Sequence, residues 1–301
     1  MNLLVTGGTG QLGRELQHTL APLGTVFAPP RETLDLADPA SIRATIRAVR
    51  PRWIVNAGAY TAVDKAESEP NLAYAINRDA VRIIGEEACA TGAAVVHLST
   101  DYVFDGASTA PYVETDPTGP ISVYGSSKLA GEAALAATGA AHLIFRTSWV
   151  YGSHGKNFLL TILKLVRERE TLRVVADQHG SPTWSRDLAR MIASVLSQVE
   201  SRSTGSARIP PFPPAETLYH ACGAGETTWY DFAAAAVALQ QQSQPLTRLA
   251  HILPIPSADY PTAARRPQSS RMCCDKLLDH YGWQMMDWRE SLRQVLDELA
   301  P

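Results

Sequence analysis

The chain has 301 residues, 45% of them hydrophobic, and a formal net charge of −3 at neutral pH. That length holds one large core or two modest ones. The near-neutral charge gives no footing for a nucleic-acid or anionic-membrane partner, so an anionic substrate would have to meet its positive charge locally.

The first half alternates apolar strands with amphipathic helical stretches, the pattern of a parallel sheet covered on both faces. Strands are predicted at Asn2–Thr6, 25–28, WIVNAG from Trp53, Ala94–Thr100 and 142–148. Between them, a helix runs over about 11–21 and stops before Gly24, and Asp38 with Pro39 supplies a cap and first position for the next. A further helix covers about 124–138. A strand in RVVAD from Arg173 and a helix over about 185–198 continue the rhythm. SRSTGSARIPPFPPAE then reads as an exposed loop. Beyond it come a short strand, LYHACG, an alanine-rich helix after Trp229, the stretch YPTAARRP and an amphipathic helix over Trp288–Leu299. The expected fold is α/β: a Rossmann-type doubly wound parallel sheet with a smaller C-terminal region over the site. Residues 1–148 form the dinucleotide-binding part, with about 172–200 returning to it. About 149–171 and 215–301 form the substrate-binding region, and 201–214 the loop.

TGGTGQLG places Gly7, Gly10 and Gly13 between a strand and a helix. The turn needs residues without a Cβ, a pyrophosphate must approach the backbone, and the helix must pack close to the strand. The helix start at Gln11 and Leu12 offers unpaired N–H groups and a partial positive charge to phosphates. The context of strand, turn and helix points to a bound dinucleotide. After the second strand, Arg31 is the first charged residue. It can hold the 2′-phosphate of NADPH, or it is a solvated loop arginine and NADH is used. Asp35 and Leu36 can flank the adenine.

Tyr124 and Lys128 in YGSSK are four residues apart at a helix start, so their side chains share a face. A free phenol is a poor proton donor at neutral pH, and a nearby ammonium is expected to lower its pKa. Such a pair protonates an alkoxide formed by hydride attack, or runs the reverse. Ser99 and Thr100 close the fourth strand, at the edge where open α/β sheets bind ligands.

These residues resemble the extended short-chain dehydrogenase/reductase family, and within it the group that reduces the C4 ketone of dTDP-4-dehydro-L-rhamnose. The matching stretches are TGGTGQLG, NAGAYTAVDKAE, LSTDYVFDG, VYGSSKLAGE, FRTSWVYG, KNF, DQHGSPT and YPTAARRP. The resemblance implies a catalytic triad of Thr100, Tyr124 and Lys128. It implies cofactor contacts from Asn56, Ala57, Ala59, Tyr60 and Ser99, and contacts to the nucleotide sugar from Thr61, Val63, Asp101 and Trp149. Arg265 or Arg266 would neutralise the pyrophosphate, or the two are a surface pair. Members of this family can form homodimers around Mg²⁺ held by carboxylates, at positions matching Glu15 and Glu298. The third position falls near Arg186, whose charge repels a divalent ion, so no bound metal is expected. Two other readings stay open: a nucleotide-sugar epimerase or dehydratase, and a non-catalytic NADP-binding regulatory subunit. Cys89, Cys222, Cys273 and Cys274 form no CxxC pair, and MNLLVTGGTG has neither a basic n-region nor a long apolar core. A cytoplasmic protein with reduced thiols is therefore expected, with no membrane span.

Overall fold

The computed structural model describes residues 1–203, 208–243 and 249–300. Strands β1 (Asn2–Thr6), β2 (Thr25–Phe27), β3 (Trp53–Asn56), β4 (Ala94–Thr100) and β5 (His142–Thr147) lie in one sheet with the strand Leu218–His220. The order is Leu218–His220, β5, β4, β3, β1, β2, and every pairing is parallel. Every residue of β3 and β4 is buried, as expected of strands covered on both faces. On one face Leu3, Val5, Val55 and Val96 meet Leu16 of α1 (Gln11–Leu20) and Leu188 and Ile192 of the helix Ser185–Arg202. On the other, Leu4, Ile54 and Val95 meet Ile42 and Ile46 of α2 (Pro39–Val49). Asp38 caps α2 by accepting the N–H of Ala40, with Pro39 at its first position.

Between β3 and β4 the chain forms α3 (Val63–Ala66), α4 (Pro70–Tyr74), a π-helical turn at Ala75–Asp79 and α5 (Ala80–Thr91). These elements were not among those predicted. Next comes α6 (Val123–Ala136), close to its expected span.

Strand pairing departs from the expected division of the chain. Thr171–Val175 pairs in parallel with His251–Ile255 in a separate two-stranded sheet. Its burial alternates, with Leu172 and Val174 packed among Ile162, Val166 and Ala233, so it has one apolar face and cannot enter a doubly covered sheet. Of the stretch 172–200, it is the helix Ser185–Arg202 that packs on the main sheet. Leu218–His220, expected with the substrate region, instead pairs with β5. The loop expected from 201 begins later, because the helix continues to Arg202 with Val199 still buried. Residues 204–207 of that loop lie outside the described residues. The helices Phe158–Glu168, Trp229–Ser243 and Trp288–Leu299 meet around Leu159, Phe232, Trp288 and Leu292. Among the described residues, no helix is long and apolar enough to cross a membrane.

Candidate active site

The glycine turn is tight for a specific reason. Gly7 has φ +66°, and a Cβ there would lie 2.7 Å from the Cα of Gly58, in the turn after β3. The N–H of Gly10 closes the turn on the Gly7 carbonyl at 2.9 Å. No side chain caps the start of α1, which leaves its first N–H groups available to an anion. Beside the turn, buried Asn56 accepts from the Thr6 hydroxyl at 2.6 Å, and its amide meets His97 Nδ1 at 3.0 Å. Ala57 and Ala59 lie on the same segment, partly buried. Leu36 reaches it from below, since a Cβ on Gly58 would sit 2.7 Å from Leu36 Cδ1. Gln11 is held through its side-chain oxygen by Asn157 Nδ2 at 2.8 Å, and Leu12 packs on the core. Arg31 is at the rim, its side chain 72% exposed and 3.6 Å from Asp35.

Asn77, unnoticed in the sequence, organises the next segment. Its amide oxygen takes the Tyr60 N–H at 2.9 Å, and its NH₂ donates to the Tyr60 carbonyl at 3.1 Å and the Ser127 hydroxyl at 2.9 Å. The Tyr60 hydroxyl donates to Glu69. An asparagine inside a helix carries no sequence signal of such a clamp; the π-turn that presents it is the structural clue.

At the end of β4 the Thr100 hydroxyl donates to Asp101 Oδ1 at 2.9 Å and accepts the Tyr102 N–H at 3.2 Å. Tyr124 stands in the first turn of α6, which is capped by Ser122. Gly125 lets this turn press on the segment after β4, because a Cβ there would be 2.1 Å from the Tyr102 carbonyl oxygen. Tyr102 and Tyr124 meet edge-on, their centroids 5.7 Å apart. Burial holds the Tyr124 phenol well above its ordinary range, and a hydrogen bond with Thr100 works against that rise. Lys128, 2% exposed, donates to the Leu98 carbonyl. Burial pushes its ammonium down to about 8, with Glu132 acting in the opposite direction. The expected lowering of Tyr124 by Lys128 is therefore not met. Desolvation dominates the phenol, and the ammonium is engaged by the strand.

Asp101 is buried, and burial pushes its carboxyl up to about 6. Thr61 is exposed and Val63 half-buried at the start of α3. Arg266 donates to Asp64 at 2.7 Å and Asp64 also takes the Ala264 N–H, so the ARRP stretch is pinned to α3 while Arg265 stays exposed. Trp149 has φ +46°. Its ring stacks on Trp229 with centroids 3.4 Å apart, and Gly180 leaves room for its edge. Trp149, expected to contact the nucleotide sugar, thus has one face of its ring covered by a second indole. Away from the site, Arg186 stands between two carboxylates as its position suggested, with Glu15 at 2.9 Å and Glu298 on its other nitrogen.

The sequence pattern of the family described as "RmlD substrate binding domain" matches residues 1–300. A dTDP-4-dehydrorhamnose reductase of Burkholderia thailandensis is 43% identical over 302 residues, 99% of each chain. One from Escherichia coli K12 is 43% identical over 99% of this chain and 98% of its own. A solved dTDP-4-dehydrorhamnose reductase from Bacillus anthracis, in complex with NADP, superposes with a TM-score of 0.86 at 33% identity, covering 99% of each chain.

Proposed function

From the chain's membership of the RmlD substrate binding domain family, we propose that it reduces the C4 ketone of dTDP-4-dehydro-L-rhamnose to dTDP-L-rhamnose through Thr100, Tyr124 and Lys128. It is an oxidoreductase of dTDP-rhamnose synthesis and uses NADPH. The observation that carries the residue assignment is the grouping at the carboxyl end of β4. Thr100 ends that strand with its hydroxyl on Asp101, Tyr124 is buried in the first turn of α6, and Lys128, one turn further on, docks its buried ammonium on the Leu98 carbonyl.

The glycine turn fits a dinucleotide. Gly7 takes φ +66° with its backbone pressed against Gly58, where a side chain has no room, and the start of α1 carries no side-chain cap, which leaves its N–H groups for a phosphate. Gly7, Gly10, Gln11 and Leu12 would hold the pyrophosphate, Arg31 the 2′-phosphate, and Asp35 and Leu36 the adenine. Asn56, Ala57, Ala59, Tyr60 and Ser99 would line the remainder. Bound NADPH supplies the hydride to C4. Thr100 holds the ketone oxygen, and Tyr124 transfers its hydroxyl proton to that oxygen as the alkoxide forms. A phenol held protonated by burial suits this direction, since the acceptor alkoxide is far more basic. Lys128 holds the cofactor ribose and the charge behind Tyr124. Thr61, Val63, Asp101 and Trp149 contact the nucleotide sugar. Arg265 meets its pyrophosphate, because Arg266 is already paired with Asp64. The substrate region is built from the segments after β5 that lie outside the main sheet, and the enzyme works in the cytoplasm on a freely diffusing nucleotide sugar.

Purified protein given dTDP-4-dehydro-L-rhamnose should form one dTDP-L-rhamnose for each NADPH oxidised, and should prefer NADPH to NADH. Sugar conversion without net NADPH loss would mean an epimerase. Cofactor binding without any conversion would mean a regulatory subunit.

A further inference from the structure

Glu132 follows Lys128 by four residues on α6, so Tyr124, Lys128 and Glu132 share one helix face. Glu132 is 6% exposed. Its carboxylate accepts from Nε of Arg146 at 3.0 Å, from Nη2 of Arg146 at 2.7 Å and from the Ser99 hydroxyl. Arg146, on β5, is itself buried and lies over the Phe104 ring. Ser99 directly follows Leu98, whose carbonyl takes the Lys128 ammonium. Two side chains one turn apart on α6 therefore grip two successive residues of β4.

Apolar packing would hold a helix on a sheet as well as a buried ion pair does, and often better. The charge calls for another use. Glu132 on the same helix and His97 on β4 interact with Lys128, Arg146 on β5 reaches it through Glu132, and Asp101 and Tyr102 act on Tyr124. His97 is completely buried, and burial together with the Lys128 charge holds it neutral. Arg146 is paired. Among the described residues, no carboxylate lies within 4.0 Å of the Lys128 ammonium, and Glu132 is the anion that favours its charged form.

We propose that Glu132 is a positioning residue for the reduction, held by Arg146 and Ser99 so that its carboxylate keeps the Lys128 ammonium charged and docked on β4. This rests on the assignment of Lys128 to the cofactor ribose and Tyr124. NADPH affinity, followed by fluorescence titration across the alkaline range, and the pH profile of kcat/KM test it together. Both should weaken in the unmodified protein as pH rises through about 8, where Lys128 loses its proton. Glu132→Gln should move that fall to lower pH by about one unit. Because this variant strands the Arg146 charge and can lose stability, Glu132→Gln with Arg146→Met is the decisive protein, with a thioether of similar reach left over Phe104. The double variant should melt near the parent yet still show an acidward shift, smaller than in the single variant because the Arg146 cation leaves with the carboxylate, and Glu132→Asp should restore part of it. A purely structural ion pair would lower the melting temperature of the single variant and leave the alkaline fall in place in the double variant, which overturns the proposal. If the parent binds NADPH but Lys128→Met keeps the same alkaline fall, the role of Lys128 fails instead.

Discussion

At the scale of single residues, the proposed site holds two hydroxyl groups in different settings. Tyr124 is held protonated by burial, and the Thr100 hydroxyl donates to Asp101. Tyr124→Phe removes the proton donor but leaves the ring and its contact with Tyr102. Turnover should fall by about two to four orders of magnitude, with NADPH affinity and melting temperature near the parent values. A Phe variant that turns over normally would remove Tyr124 from the reaction. Arg31 presents a second, separable choice. Its side chain is largely exposed and its contact with Asp35 is long, so little holds it away from a phosphate. Arg31→Ala should weaken NADPH binding by about tenfold to a hundredfold, the worth of a charged hydrogen bond, while NADH binding stays unchanged. Titration of both nucleotides checks this, and equal losses would place the 2′-phosphate elsewhere.

At the scale of elements, the segment between β3 and β4 borders the proposed cofactor site. The π-turn presents Asn77 to both backbone groups of Tyr60 and to Ser127 on α6, so one amide ties the loop after β3 to α6. Asn77→Ala would strand the Tyr60 N–H. It should cost about 1–3 kcal/mol of stability and raise KM for NADPH more than it lowers kcat, as read from thermal unfolding and steady-state kinetics. This segment was also the least legible part of the sequence. The sheet strands announced themselves as short apolar runs because both faces are covered. The helices α3 to α5 are interrupted by Pro70 and the π-turn, which breaks the helical period. The positions proposed for the triad stood out in the sequence because Tyr124 and Lys128 are spaced along one helix and Thr100 ends a strand. Asn77, Asp64, Glu132 and Trp229 did not, since each is bound to a partner distant in sequence. Composition carries no trace of such pairings.

At the scale of the whole molecule, Arg186 joins parts that are far apart in the chain. Its guanidinium links Glu15 on α1 to Glu298 in the C-terminal helix and lies over the Trp184 ring. A fixed cation in that place does the bridging work of a divalent ion. Activity and sedimentation should therefore be unchanged by EDTA or added Mg²⁺, and chelation that altered either would assign the ion a role. Arg186→Ala should lower stability by about 1–3 kcal/mol, less than for a fully enclosed pair because Arg186 keeps some exposure. The sheet carries a consequence for biosynthesis. Its outer strand beyond β5, Leu218–His220, reaches the ribosome exit only after the intervening helices have been made. Until then β5 presents an unpaired hydrogen-bonding edge, the kind of edge that recruits other chains. A nascent or truncated polypeptide ending shortly after β5 would therefore be sticky, and expression of the chain through β5 alone should yield aggregates unless that last strand is included.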